Sequence, residues 1–193
     1  NDKILDIENK SLTHRPDTFG LIGFAREVSG ILGQKFSEPV SFDQTIDKIS
    51  DEISIEIADQ KLCPRYSACL VEVKDLNLSQ PVTPEFSDLY NMTEDLVLLA
   101  KSGINSVSPI VDATNLTMLE LGQPLHAFDY DKFIKIGGLD YAKIIVRAAR
   151  SGEVLTLLDG KTLELNSNDI VITSNDIPVA LAGAMGGEST KID

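Results

Sequence analysis

The sequence is short of positive charge. Its 193 residues carry 17 Lys and Arg against 30 Asp and Glu, a net of −13 with both histidines neutral. A protein that grips a nucleic-acid backbone neutralises phosphates with lysine and arginine, so this deficit excludes a free-standing electrostatic nucleic-acid binder unless the few bases are gathered in one place. Long hydrophobic runs are also missing. Stretches such as Ile177 to Met185 are interrupted by glycine and fall far short of the roughly 20 residues that span a bilayer, so no membrane span is expected. Cysteine is scarce. Cys63 and Cys69 fall on what reads as a single strand, where a six-residue offset separates them by roughly 20 Å, too far for a disulfide without folding back. They read as core thiols in a reducing, cytoplasmic setting. The chain contains no P-loop, no Cys/His zinc spacing, no Gly-x-Ser-x-Gly elbow, no internal repeat and no low-complexity tract. Those absences remove the commonest nucleotide, metal and serine-hydrolase signatures. No signal-peptide pattern follows Asn1, and the chain reads as a piece of a longer protein.

What is present suffices for a folded domain: 42% of residues are hydrophobic and 24% charged, enough to bury a core. Leu21, Ile22, Ala25, Val28 and Leu32 recur at helical spacing, which predicts a helix from Thr18 to Leu32, capped by Asp17 and ended by Gly33. Gly20, Gly23 and Gly30 within it each cost about 1 kcal/mol relative to alanine, so tertiary contact must hold this helix, with its backbone close to a neighbour. Ile53, Ile55 and Ile57 alternate with polar residues, as on a strand with one wet face. Arg65 to Lys74 is expected to follow as a second strand. Thr83-Pro84-Glu85 has the order of a helix start, a capping hydroxyl, a proline and an acid. The pattern continues through Phe86, Leu89, Leu96 and Ala100 to Lys101 and Gly103, with a weak patch at Tyr90 to Thr93. A further helix is expected from Ala113 to Leu121. After Gly122 the pattern turns to strands, at Lys143–Ala149, Val154–Leu158, Thr162–Leu165, Asp169–Thr173 and Pro178–Ala182, and Asp159-Gly160 marks a hairpin. Helices early and antiparallel strands late give an α+β fold, a mostly antiparallel β-sheet with two or three packed helices, and the length suits one domain over residues 1–193 or two small ones.

Few residues invite chemistry. His14 and His126 are the only histidines, hence the only side chains whose ordinary titration lies near neutral pH. His14 precedes Arg15-Pro16 in a turn. His126 lies in Gly122-Gln-Pro-Leu-His126-Ala-Phe-Asp129, directly after a helix, where a loop can present it to a cleft; taken without further context, a histidine in such a loop is more often a structural hydrogen-bonding residue. Gly183-Ala-Met-Gly186-Gly187 follows a strand without a helix after it, so it is no dinucleotide fingerprint. It reads either as a tight turn or as bare backbone that a ligand approaches closely.

The run from Val111 through Asp112, Asn115, Glu120 and His126 to Asp129 closely resembles a signature of the bacterial phenylalanyl-tRNA synthetase beta subunit, in the domain that edits mischarged tRNA. Four further segments match in the same order: His14-Arg-Pro-Asp17 with Ala25-Arg-Glu-Val28, Cys63-Pro-Arg-Tyr66, Leu157-Leu-Asp-Gly160, and Ala180-Leu-Ala-Gly-Ala-Met-Gly-Gly187. Together they cover the chain from about Ser11 to Thr190. The resemblance implies a hydrolase centre that removes tyrosine wrongly esterified to the phenylalanine tRNA. By position in the motif it makes His126 the active-site histidine, Asn115 its hydrogen-bonding companion at the substrate, and Gly183 and Gly186 the pocket wall, where a side chain would block the amino acid. It implies the aminoacylated 3′ end of the phenylalanine tRNA as ligand and the synthetase alpha subunit as partner in the parent heterotetramer. No metal or cofactor is implied for editing; ATP and magnesium belong to the parent's aminoacylation site.

The chain also departs from that family. Gly103-Ile104-Asn105 stands where the family usually reads Gly-Ile-Arg, so Asn105 replaces an arginine that faces the editing site. The family's tyrosine-selecting glutamate, with a threonine and an alanine that finish the pocket, falls beyond Asp193, and Glu188 beside the glycine pair does not replace it. Asn105 favours a second expectation, a degenerate scaffold that joins neighbouring domains and guides the tRNA end without catalysis; a third, a free-standing trans-editing protein, is opposed by the reading of the chain as a piece of a longer one. The acidity is local. Residues 38–59 and 75–95 contribute −11 of the net −13, while the segments bearing Asn115, His126 and the glycine turn are near neutral, with Lys143, Arg147 and Arg150 on a strand nearby. A piece of this kind receives the end of a tRNA that other domains hold.

Overall fold

The computed structural model describes residues 3–37, 50–73 and 92–192. The chain divides into two compact units, Asn1–Gln44 with Leu76–His126, and Thr45–Asp75 with Ala127–Asp193. The described part of the first is helical and the second holds the sheets, which bears out an α+β fold.

In the helical unit, α1 runs over Leu21–Ile31, three residues inside the expected start. Pro16–Phe19 forms a short 3-10 turn first, and Gly20, in extended conformation, is the residue before the helix. Asp17 does not cap α1. Its carboxylate is held by Arg15 through two bonds of 2.9 and 2.7 Å, and Arg15 continues to Glu27 at 3.0 Å; a charge-assisted fork outcompetes a neutral amide for the carboxylate. The expected close backbone packing is found at two of the three glycines. A Cβ at Gly23 would strike the Asp17 carbonyl, one at Gly20 would strike the end of the third helix, and one at Gly30 would meet nothing within 4 Å.

Helix α2 covers Met92–Lys101, with Glu94 and Asp95 in its first turn and Lys101 in its last, charges that complement the helix dipole at each end. Gly103 follows at φ +75. The expected start at Thr83-Pro84-Glu85 lies outside the described residues. Helix α3, Pro109–Leu121, begins four residues before Ala113 because Ser108 accepts the Val111 amide and Pro109 occupies the first position, where its missing N–H costs nothing. Gly122 ends it in the left-handed conformation, φ +72, donating to Met118 O at 2.8 Å.

The sheet unit is built on five strands in the order β1 (Ile53–Ile57), β2 (Ala142–Ala148), β5 (Ile170–Ser174), β6 (Ile177–Leu181) and β7 (Met185–Gly186), with β3 (Val154–Thr156) and β4 (Thr162–Glu164) as a separate hairpin. Among the described residues only the β1–β2 pair is parallel. The Asp159-Gly160 hairpin falls where expected, with Gly160 at φ +80. A two-residue turn, Asn175-Asp176, joins β5 to β6 with both residues at positive φ, the geometry whose strand twist suits a hairpin.

Two expectations fail here. Residues 65–73 form no strand, and Lys74 lies outside the described residues. Alternation marks side chains suited to a pleat, but a strand exists only as part of a ladder, and no described residue pairs with this segment. Cys63 packs on the core, whereas Cys69 is exposed, and both are free thiols. The segment after Gly122 is not strands alone: α4 occupies Tyr130–Gly137. Asp129 caps it, accepting from Lys132 N at 2.9 Å, and Gly138 closes it at φ +67. Phe133, buried on this helix, packs with Ala142, Ile144, Val146 and Val179 on one face of the sheet. Leu155, Leu157, Leu165, Val171 and Ala149 form a second cluster. Ser174 Oγ donates to Phe133 O at 2.6 Å and Asn175 Nδ2 to Gly137 O at 2.9 Å, tying α4 to β5 and its turn.

Candidate functional site

Three of the expected site residues, Asn105, Asn115 and His126, belong to the helical unit, and Gly183 and Gly186 to the sheet unit. Helix α3 organises the first group. Asp112 and Asn115 lie one turn apart, which places them on one side of the helix; Asp112 is buried and Asn115 half-buried. The Asp112 carboxylate accepts from the Ser106 hydroxyl and from the Val107 amide at 3.0 Å. That clasp fixes the loop between α2 and α3 directly after Asn105, which is exposed. Composition and motif reading passed over Asp112 as a positioning residue, although Ser108-Pro109-Ile-Val-Asp112 carries the order of a capped helix start.

Hydroxyls near Asn115 are committed to their own helix, Thr114 Oγ1 to Val111 O at 2.7 Å and Thr117 Oγ1 to Ala113 O at 2.9 Å. Within the described residues no hydrogen bond takes up the Asn115 amide in the same way. Its donor pair and acceptor oxygen are therefore available to a ligand.

His126 lies in the loop from Gly122 to Asp129, the last residue of the helical unit along the chain. The residue reaches solvent, yet protein packed about the imidazole withdraws water and lowers its pKa below the usual histidine value. Desolvation disfavours the charged ring, so the neutral imidazole, which has one acceptor nitrogen, is favoured over a wider pH range than in an ordinary histidine. His14 is exposed in a turn.

In the sheet unit, Gly183 sits at φ +71 in the exposed turn after β6, with open space where a Cβ would stand. Gly186 is buried on β7, and its carbonyl accepts from Leu158 N at 3.0 Å. At Gly187 a Cβ would strike the Val179 carbonyl, with Leu155 Cδ1 at 3.0 Å. The glycine cluster thus combines a positive-φ turn at 183 with close internal packing at 187.

The basic residues on and beside β2 are already partnered. Arg147 is buried, forks onto Glu153 at 2.9 and 2.7 Å and binds Asp176 Oδ1 at 2.8 Å. Arg150 shares Asp176 at 2.7 Å, and Lys143 lies 3.8 Å from Glu56. The sequence presents these three as local positive charge for a ligand; the structure commits Arg147 and Arg150 to holding the β5–β6 turn. Among the described residues no three His, Cys, Asp or Glu side chains gather as a metal site, and no helix is long and apolar enough to cross a membrane.

A family model, the B3/4 domain, matches residues 92–193, the stretch that carries Asn105, Asn115, His126 and both glycines. The chain belongs to that family. Its relatives include the protein named phenylalanine--tRNA ligase beta subunit from Trichormus variabilis, 36% identical over 192 residues, from Streptococcus pyogenes, 41% over 197, and from Carboxydothermus hydrogenoformans, 37% over 199. The alignments cover 99–100% of this chain and 22% of each relative, so the chain spans about a fifth of the length of the curated relatives it matches. The resemblance read from the motifs is borne out at the level of the beta subunit.

Proposed function

We propose that this chain is the editing module of a phenylalanine--tRNA ligase beta subunit, hydrolysing the ester that joins mischarged tyrosine to the phenylalanine tRNA. The observation that carries the reading is the combination of an uncommitted amide on α3, Asn115, with a neutral-leaning imidazole, His126, on the loop that leaves the same helix. Ester hydrolysis needs a positioned nucleophile and donors aimed at the developing oxyanion. His126 accepts a hydrogen bond from the attacking water or from the terminal ribose, and Asn115 donates to the substrate. Water adds to the ester carbonyl carbon, the carbon–oxygen bond to the ribose breaks, and free tyrosine leaves a deacylated tRNA. No metal or cofactor takes part in this step. In the parent, aminoacylation of the tRNA with ATP and magnesium takes place elsewhere, with the alpha subunit as partner and the cytoplasm as setting.

The test is deacylation of Tyr-tRNA by the whole synthetase carrying this chain, against its His126→Ala variant. Loss of about 10²–10⁴-fold on substitution is expected for a general acid–base group. No hydrolysis above the uncatalysed rate by the parent would overturn the reading. Asn105 and the internally paired arginines favour a second reading, a non-catalytic module that only receives the tRNA end; it predicts that His126→Ala weakens nothing in deacylation while changes to the loop at Asn105 alter tRNA binding.

A further inference from the structure

The two ends of α3 are held by different devices, and the one at the C-terminal end is built without side chains. Gly20 is buried at the entry to α1, and a Cβ there would be driven into Gly122 N, with Leu121 C at 2.5 Å and Glu120 O at 2.6 Å. From the other side, a Cβ on Gly122 would meet Gly20 N at 2.9 Å, Phe19 C at 3.2 Å and Pro16 O at 3.4 Å. The backbone entering α1 and the backbone leaving α3 are therefore in direct contact, a separation that only two glycines permit. Gly20 needs no unusual dihedral of its own, since φ −113 and ψ 156 are open to any residue; its requirement is purely one of space. His126 follows Gly122 by four residues.

We infer that Gly20 is a positioning residue for His126: by allowing the α1 entry to lie against Gly122, it sets where the Gly122–Asp129 loop leaves α3. The inference rests on the proposed editing role of His126 and adds a determinant one hundred residues distant in sequence from the loop it governs. Gly30 provides the internal contrast, because it lies in the same helix with nothing near its missing Cβ.

The experiment compares Gly20→Ala and Gly30→Ala. The 193-residue chain has two histidines, so proton NMR resolves the His126 titration beside that of His14. In Gly20→Ala the displaced loop is expected to move the His126 titration back toward the ordinary histidine value, and in the whole synthetase to lower kcat for Tyr-tRNA deacylation by about 10²-fold, the scale of a 1 Å misplacement. Gly30→Ala leaves both as in the wild type. If Gly20→Ala does not fold, Gly122→Asn replaces it: asparagine tolerates the left-handed φ, and its Cβ crowds Gly20 N less severely, so a smaller shift of the same sign is expected. A folded Gly20→Ala or Gly122→Asn protein with unchanged His126 titration overturns the inference. A wild-type synthetase without deacylation overturns the editing reading instead, and the titration comparison still decides the role of Gly20.

Discussion

A single glycine can be a defect or a requirement, and α1 contains both kinds. Gly30 lies in the last turn of α1 with empty space beside it and without a positive φ, so Gly30→Ala should stabilise the chain by about 0.4–1 kcal/mol, read as a rise in the denaturation midpoint; an unchanged or lower midpoint would contradict the open environment. Gly20→Ala adds the same atom where backbone already stands, and overpacking of that kind costs about 1–3 kcal/mol. At His126 the sign of the pH effect follows from its lowered pKa. The unfolded chain takes up the proton first, at about 6.5, so the contribution to stability is full above that value and is lost as pH falls through the folded pKa. Between pH 7.5 and 5.5 the wild type should lose more stability than His126→Asn; equal losses would refute the desolvation. His126 and Asn115 can be put forward as candidates from the sequence because they sit inside a contiguous motif. The contacts of Asp112 and Gly20 cannot, because each depends on what lies across a loop or a helix crossing, and local spacing carries no record of that.

Elements were legible where their signal is local and failed where it depends on a partner. The alternating runs at Ile53–Ile57 and from Lys143 onward became strands, and Asp159-Gly160 became a hairpin. The eight-residue α4 escaped because two helical turns ahead of a strand-like run leave too few repeats for the period to stand out, although Asp129 and Gly138 bracket it as cap and stop. Residues 65–73 show the reverse error, alternation without a ladder. The β5–β6 turn rests on a feature that no periodicity reveals, the convergence of Glu153 and Asp176 on buried Arg147. Glu153→Ala withdraws one carboxylate from a desolvated guanidinium and should cost about 3 kcal/mol, whereas Glu153→Gln keeps an acceptor and should cost less; a loss under 1 kcal/mol for the alanine variant in denaturant melts would mean the network is as dispensable as an exposed pair. The Arg147 hydrogen bond holds the Glu153 carboxyl below its usual range. This contribution is therefore present above the ordinary carboxylate value and disappears as pH falls through the lower, folded one.

At the scale of the molecule, apolar burial is concentrated in the sheet unit, while the candidate polar groups Asn105, Asn115 and His126 are in the helical one. Among the described residues, Leu99 is the one buried hydrophobic side chain of the helical unit, while Phe133, Ile144, Val146, Leu155, Val171 and Val179 are all in the sheet unit. The helices that carry Asn105, Asn115 and His126 are held by the Gly20–Gly122 crossing, the Asp112 clasp and the Arg15 ion pairs, polar or backbone contacts that bury little apolar surface. The −13 net charge is uneven along the chain: of the twelve acids in the stretches 38–59 and 75–95, six fall on residues 38–49 and 75–91, outside the described ones, and six on described residues. Local opening costs least where buried apolar contact is sparse. Native-state hydrogen exchange should accordingly find the amides of β2 and β5, such as Val146 and Val171, exchanging only through the largest opening. The Phe24 amide, bonded to Gly20 O at 3.0 Å at the start of α1, should exchange through a smaller one. Gly20→Ala should lower protection in α1 and at the end of α3 while leaving β2 and β5 unchanged. Equal protection in α1 and β2 would show that the helical unit opens only with the sheet, and that the backbone crossing is not the weak point on which the position of His126 depends.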